Sequence, residues 1–486
     1  ENFIKDAVKR GASVVICSTN CKFVNKDIIV IKTNNLRNII SEISSRFYKQ
    51  KPKNIIAVTG TNGKTSVADF FYQILKLNNI PVASIGTLGI KYNNKILKTN
   101  LTSPDTISLH KHLHFLKKNK IENVIIEASS HGLDQKRLHH INFKSAIFTN
   151  FSQDHLDYHK TMKAYLKSKM ILFKEILNDG CSIISDKEIK PFKTLKQLAK
   201  KKNCKLLEIS EVQEKLKNQF SETLNDIKIK NLAMAINAIK SCGLKDNIIY
   251  GKISKLKDVS GRLELVKKYE NNIRIYIDYA HTPDALLKTI KTLKKIYGDN
   301  ITLVFGCGGD RDKKKRSLMA KIANYNCKKI YITDDNPRNE SPNKIRKELL
   351  KYISKDKGIN IGNRFLAIKK AIKNANRSEI ILIAGKGHEE QQIYKNKINY
   401  ISDKKIVKNI KIKKNAPNNL QQNFLQNRSI LKKILGQNKT LNVNGLSIDT
   451  RTIKKNNLFI TIKGKNNDGN KFIDYALKKG AGCVIT

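Results

Sequence analysis

The stretch N-I-I-A-V-T-G-T-N-G-K-T-S, residues 54–66, constrains this chain more than any other. A short apolar, β-branched run reads as a buried strand, and Val67, Phe70, Phe71, Ile74 and Leu75 mark one face of a following helix. Between them lie Gly60, Thr61, Asn62, Gly63, Lys64, Thr65 and Ser66. Strand, glycine-rich turn and helix in this order are what a phosphate loop requires. Backbone N–H groups surround the phosphates, a lysine offsets their charge, and a hydroxyl serves magnesium. Lys64 and Thr65 supply the last two. The general pattern G-x-x-x-x-G-K-[ST] fails only at its first position, where Val58 stands. The chain is read as an ATP-consuming enzyme.

The alternation of strand and helix continues to about residue 387. N-V-I-I-E-A-S, K-S-A-I-F-T-N, I-R-I-Y-I-D-Y-A, I-T-L-V-F-G, K-K-I-Y-I-T-D-D and E-I-I-L-I-A-G-K-G are short apolar runs that end in polar or glycine residues. This predicts an α/β fold with mostly parallel sheets and with ligands at the strand ends. The 486 residues suffice for about three domains. Residues 182–231 are lysine-rich and weakly patterned, and residues 410–430 read as a linker. No run reaches the ~18 apolar residues of a membrane span. The start at Glu1, without a leader, fits a fragment or processed chain. Eight cysteines without a C-x-x-C pair indicate neither a disulfide framework nor a zinc site, and so a reducing cytoplasm. The net charge of +53 comes from lysine spread over the whole length. With no aromatic-interleaved basic patch it reads as a solvated surface, and no nucleic-acid or membrane partner is expected. H-K-H-L-H, with His110, His112 and His114, reads as a helix surface rather than a metal tract.

Two further stretches carry candidate chemistry. I-I-E-A-S-S-H-G-L-D-Q-K-R places Glu127 at a strand end before Ser129, Ser130 and His131, and F-T-N-F-S-Q-D-H-L-D-Y-H brings Asp154, His155 and Asp157. Carboxylate and imidazole there suit magnesium beside phosphates. By spacing alone, polar loop residues account for them equally well.

T-G-T-N-G-K-T, with its missing first glycine, resembles the Mur ligase family, which adds amino acids to the peptidoglycan precursor and counts folylpolyglutamate synthetase as a relative. The resemblance covers roughly residues 1–412. It implies that Glu127 and His155 hold two magnesium ions with Thr65, and that Lys169 in Y-L-K-S-K is carbamylated and helps hold the second. Lys64, Glu127, His155 and Lys169 are then the catalytic set. Around the nucleotide it implies Arg262 in S-G-R-L-E at the phosphates, Asp278 and His281 in D-Y-A-H-T-P-D-A-L, and Asn231 with His281 near adenine and ribose. The family's G-x-F-N-x-x-N is degraded here to N-D-I-K-I-K-N. The D-N-P-R form resembles members that add meso-diaminopimelate to UDP-N-acetylmuramoyl-L-alanyl-D-glutamate; lysine-adding relatives usually replace it. Arg316, Asp335, Asn336, Arg338, Gly385 and Glu389 would grip the distal end of diaminopimelate, with Arg338 on its carboxylate and Glu389 on its ammonium. Thr102, Ser103, Ser130, Gln135 and Arg137 would meet the muramoyl dipeptide.

The resemblance also implies three domains: an N-terminal UDP-binding domain, truncated here to residues 1–50; a central P-loop domain, 51–265; and a Rossmann-like amino-acid domain, 266–412. A linker at 413–435 and a further segment, 436–486, follow. E-N-F-I-K-D-A-V-K-R-G-A-S-V-V-I-C at the start and N-K-F-I-D-Y-A-L-K-K-G-A-G-C-V-I-T at the end are near-repeats. A tandem is expected: one ligase, monomeric, followed by the start of a second that resembles the D-alanyl-D-alanine-adding enzyme. If the tail instead docked on the front, Thr450, Arg451 and Asn470 would be UDP contacts. The alternatives are a folylpolyglutamate synthetase-like ligase, a nucleic-acid-stimulated P-loop NTPase, and a fragment that binds substrate too weakly to work.

Overall fold

The computed structural model describes residues 3–220, 224–411, 445–461 and 468–485. The expected linker, 413–435, lies outside them. The chain divides into two units, Glu1–Lys411 and Ile412–Thr486.

The first unit opens with helix Ile4–Lys9 and the parallel pair β1 (Val14–Ser18) and β2 (Ile29–Thr33). Helix Leu36–Phe47 then joins the next layer, where the Ser41 and Ser45 hydroxyls donate to the His139 and His140 carbonyls at 2.8 and 3.0 Å.

The central sheet contains β3 (Asn54–Thr59), β4 (Val82–Gly86), β5 (Gly89–Tyr92), β6 (Lys95–Leu97), β7 (Asn123–Glu127), β8 (Ser145–Phe148), β9 (Ser182–Ser185) and β10 (Lys205–Glu208). Its order is β10-β9-β8-β3-β7-β4-β5-β6, parallel up to β4 and antiparallel over β5 and β6. Strand pleating sends Ile55 and Ala57 into one buried cluster and Ile56 and Val58 into the other. Both faces of β3 are therefore covered, which is why its sequence is an unbroken apolar run.

A six-stranded sheet follows: β11 (Glu264–Lys268), β12 (Arg274–Asp278), β13 (Ile301–Phe305), β14 (Lys329–Ile332), β15 (Gly358–Asn360) and β16 (Ile380–Ala384), in the order β11-β12-β16-β13-β14-β15. Only β11 runs antiparallel to its neighbour. The boundary expected at 265 falls inside β11, whose pairing with β12 assigns it to this sheet.

The weakly patterned stretch proves structured, and the reading of the histidine tract is corrected. Residues 182–231 carry β9, β10 and helices Phe192–Lys201, Ser210–Phe220 and Asp226–Ser241. Helix Phe192–Lys201 buries only Leu195 and Ala199, so its apolar stripe is two residues wide among lysines. The helix Thr106–Lys118 does carry the histidine tract, but His110 is fully buried beside Leu109 and Leu113 rather than at the surface.

The repeated words fold alike. Helices Ile4–Lys9 and Ile473–Lys478 each end at a left-handed glycine, Gly11 (φ 93°) and Gly480 (φ 96°), and each leads into a strand. Ala12 N–H donates to the Ala7 carbonyl and Ala481 N–H to the Ala476 carbonyl, both at 3.0 Å. These bonds satisfy helix-terminal carbonyls that would otherwise be orphaned. In the second unit, Arg451 pairs with Asp449 at 2.7 Å, and Asn470 accepts from Thr461 at 2.7 Å.

Candidate active site

Adjacent parallel strands β3, β7 and β8 end together, with Val58 opposite Glu127 and Thr59 opposite Phe148. The phosphate loop leaves β3 and enters helix Lys64–Leu77. Gly63 caps that helix at φ 88°, a left-handed conformation that L side chains rarely adopt. A Cβ there would stand 2.6 Å from Asn231 Oδ1. The residues after β8 clamp the loop: Asn62 N–H donates to Asn150 Oδ1 at 2.9 Å, and the Asn62 carbonyl accepts from Thr149 Oγ1 and Asn150 Nδ2 at 2.6 and 2.9 Å.

Glu127 is buried and accepts from Thr65 Oγ1 at 2.9 Å and from Thr87 N–H and Oγ1 at 2.9 and 3.0 Å. Arg262 crosses from the second sheet to donate to Thr65 Oγ1 at 3.2 Å. Lys64 donates to the Gly60 and Thr61 carbonyls at 2.9 and 2.8 Å. Burial lowers its pKa, and Glu127 and Asp154 oppose that shift. Lys169, almost wholly buried, donates to the Gly60 carbonyl at 2.8 Å; burial and then Lys64 hold its pKa well below the usual lysine range. Burial would raise the Asp154 carboxyl, but the His281 hydrogen bond and the charges of His281 and His155 hold it well below its ordinary value. Both imidazoles face it, His155 Nε2 at 3.4 Å and His281 Nε2 at 3.5 Å.

These groups line one cleft of about 260 Å³. It gathers Thr61, Asn62, Gly63, Lys64, Thr65, Ser66, Asn231, Arg262, Asp278 and His281 of the expected nucleotide set, and also Glu127, His155 and Lys169. Gly60 lies behind it, against Thr149. The Asp278 carboxyl accepts from Leu263 and Ala280 N–H and from Thr289, so it ties strand ends together, and burial raises its pKa. A hydroxyl and a carboxylate beside a phosphate loop are hard oxygen donors that fit magnesium. Lys169 fits it only as a carbamate, and its buried site favours the neutral amine that carbamylation requires. Among the described residues no group of three or more His, Cys, Asp or Glu side chains forms a ready-made metal cage, so a metal here would draw on the Thr65 and Glu127 oxygens together with ligand oxygens.

A second cleft shares Thr102, Ser129, Asp154, His155, Tyr279 and His281 with the first and extends to Arg137, Asp335, Asn336, Arg338, Gly385 and Glu389. Glu389 accepts from Asn336 Nδ2 at 3.1 Å and Tyr279 Oη at 3.1 Å. Arg338 takes a left-handed φ of 49°, and its Nη1 donates to the Gly309 and Asn336 carbonyls.

Four expected contacts are placed otherwise. Arg316 lines neither cleft; it is buried, donating to Glu340, Glu348 and the Gly308 carbonyl, and so braces the loop beneath. Ser103 is buried and donates to the Glu127 carbonyl at 2.7 Å, fastening the end of β7. Gln135 accepts from Arg137 at 3.1 Å and lines neither cleft. Ser130 reaches the phosphate cleft rather than the second one. Sequence reasoning missed Asn150, Thr87, Tyr279, Lys386 and His388. Asn150, Tyr279 and Lys386 stand in the polar ends of quoted strands, which was the available signal. Lys386 is fully buried and donates to Asn336 and Glu389 at 3.3 Å. Burial pushes His388 down to about 3, so its Nδ1 accepts from Arg262 at 3.4 Å.

Comparison with known proteins decides the family. The Mur ligase middle domain model matches residues 58–243, the Mur ligase glutamate ligase domain 261–387, and the Mur ligase family catalytic domain 442–486. The UDP-N-acetylmuramoyl-L-alanyl-D-glutamate–2,6-diaminopimelate ligase of Rickettsia montanensis is 40% identical over 432 residues, covering 83% of this chain and 87% of the relative. The chain belongs to the Mur ligase family. The like-named ligase of Wigglesworthia glossinidia brevipalpis is 38% identical, with 84% and 89% covered. A solved ligase of that name is 29% identical with a TM-score of 0.56, covering 84% of this chain and 88% of its own. The Yersinia pestis folylpolyglutamate synthase/dihydrofolate synthase, solved with AMPPNP and manganese, is 16% identical with a TM-score of 0.58; it covers 71% of this chain and 89% of its own, and shares the fold. This Mur ligase is an ATP-dependent, amide-forming enzyme of peptidoglycan synthesis.

Proposed function

We propose that this ligase adds meso-diaminopimelate to UDP-N-acetylmuramoyl-L-alanyl-D-glutamate. The observation that carries the reading is the shared wall of the two clefts: the cleft of the phosphate loop has Asp154, His155, Tyr279 and His281 in common with the cleft of Asn336, Arg338 and Glu389. The D-glutamyl carboxylate attacks the γ-phosphorus of ATP, ADP leaves, and the amine of diaminopimelate then displaces phosphate from the acyl phosphate, losing a proton and leaving an amide. Lys64 and Arg262 offset the charge on the transferring group. Arg338 holds the distal carboxylate, for which guanidinium geometry suits, and Glu389 holds the distal ammonium. Magnesium, held by Thr65, Glu127, His155 and carbamylated Lys169, would supply charge neutralisation between the phosphates when bound. Thr102 and Arg137, which line the second cleft, meet the muramoyl dipeptide. Closure over the bound ligands would keep water from the acyl phosphate.

The folylpolyglutamate alternative rests on likeness of fold alone. No described helix is long and apolar enough to cross a membrane. The match of 442–486 to a further Mur ligase model supports the start of a second ligase in tandem.

Phosphate release from ATP with the muramoyl dipeptide, comparing meso-diaminopimelate with L-lysine, tests the reading. Release with diaminopimelate alone is expected, and Lys64→Ala should abolish it. Release with lysine alone would overturn the assignment.

A further inference from the structure

Tyr279 belongs to both clefts. Its hydroxyl donates to Glu389 Oε1 at 3.1 Å, and its ring carries the Arg262 guanidinium at 4.3 Å. Arg262 in turn donates to Thr65 of the phosphate loop. A single rigid side chain, with two rotatable angles, thus separates the expected ammonium-binding carboxylate from the phosphate-side arginine. The backbones behind them are equally close. A Cβ on Gly261, next to Arg262, would stand 2.3 Å from the His388 nitrogen, and one on Gly387 would stand 2.8 Å from the Gly261 carbonyl oxygen. The loop that carries Glu389 therefore packs backbone to backbone against the segment that carries Arg262.

We infer that Tyr279 is a positioning residue that couples amino-acid binding to nucleotide binding. An ammonium group on Glu389 orients the carboxylate, the carboxylate fixes the tyrosine hydroxyl, and the ring holds Arg262 over Thr65. Linkage makes the effect reciprocal: nucleotide on Arg262 tightens the amino acid by the same factor. The inference rests on the proposed assignment of Glu389 to the amino acid. It differs from that assignment in what it predicts, since a binding residue alone would leave the two affinities independent.

The test is calorimetric titration of the full chain with magnesium and the non-hydrolysable analogue AMPPNP, with and without saturating meso-diaminopimelate or L-lysine, the muramoyl dipeptide being present throughout. In the unmodified chain, the amino acid that binds should tighten AMPPNP by about fivefold or more, within the usual range of coupling. Tyr279→Phe keeps the ring under Arg262, so AMPPNP alone should bind within about threefold, while the coupling falls below about twofold. Glu389→Gln should abolish the coupling as well, and the double variant should lose nothing further, because both act through one contact. Tyr279→Leu should weaken AMPPNP itself. Binding of lysine in place of diaminopimelate would refute the proposed substrate while the coupling is still read with lysine. Coupling absent from the unmodified chain, absence of amino-acid binding included, or preserved in Tyr279→Phe, would overturn the inference.

Discussion

Glu127 offers the sharpest separation of structure from chemistry. Its carboxylate is buried and accepts three hydrogen bonds, from Thr65 Oγ1 and from the Thr87 N–H and hydroxyl. Glu127→Gln keeps one oxygen for the Thr87 N–H, and its NH2 can donate to hydroxyls that rotate to accept. Stability in urea should therefore change by less than about 1 kcal/mol. Glu127→Ala leaves the Thr87 N–H without its acceptor, at about 1–3 kcal/mol, and opens a space where Gly86 now packs on the carboxylate, so a loss of about 2–4 kcal/mol is expected. Turnover should not follow stability. Both variants remove an anion expected to serve magnesium, worth several kcal/mol in charge stabilisation, so phosphate release should fall by about 10²–10³-fold in each. Raising magnesium should recover Glu127→Gln only in part. If it turns over within about fivefold of the unmodified enzyme at saturating ATP and magnesium, Glu127 is a structural clasp for the Thr87 turn and the magnesium assignment fails.

Asp403→Ala should cost about 3–5 kcal/mol in urea unfolding, because it strands Arg364, fully buried and now paired with both carboxylate oxygens at 2.8 and 2.7 Å. Arg364 also donates to the Ala384 carbonyl beside Gly385, so the KM for the amino acid should rise at temperatures where the variant remains folded. Burial and then Lys51 push His110 down to about 4, below its ordinary 6.5. The unfolded chain therefore takes up a proton that the folded one refuses, and stability falls as pH drops from 6.5 towards 4. This group alone contributes a loss of about 2 kcal/mol between pH 7 and 5. His110→Leu should flatten that slope in paired urea titrations, and an unchanged slope would place the titration elsewhere. Arg338→Ala should raise the KM for diaminopimelate by about 10–100-fold, the worth of a charge-assisted hydrogen bond, while the KM for ATP moves little; equal rises in both would count against Arg338 as a specificity residue.

What was legible early were the features set by local chain chemistry. A strand, a glycine at a left-handed φ and a helix start mark the phosphate loop in the sequence, although Thr149 and Asn150 clamp it in the fold. The repeated words at the two ends fold alike because a helix, its glycine stop and the next strand are settled within about 15 residues. Glu127 could be singled out because parallel strands deliver their terminal residues to one edge, whereas Asn336 came only from the D-N-P-R resemblance. Partnership across that edge could not be read. Arg316 looked like a carboxylate binder, yet Glu340 and Glu348 claim it, since a buried guanidinium must be paired wherever the fold offers carboxylates. Ser103 looked like a substrate hydroxyl and instead fastens β7. His110 alternates with lysines in sequence, but the 3.6-residue period turns it onto the face of Leu109 and Leu113. Tyr279 was plain text in D-Y-A-H. Only the alignment of β11, β12 and β16 in one sheet placed its hydroxyl on Glu389 and its ring under Arg262, because pairing between strands far apart in the chain depends on packing that no local pattern encodes.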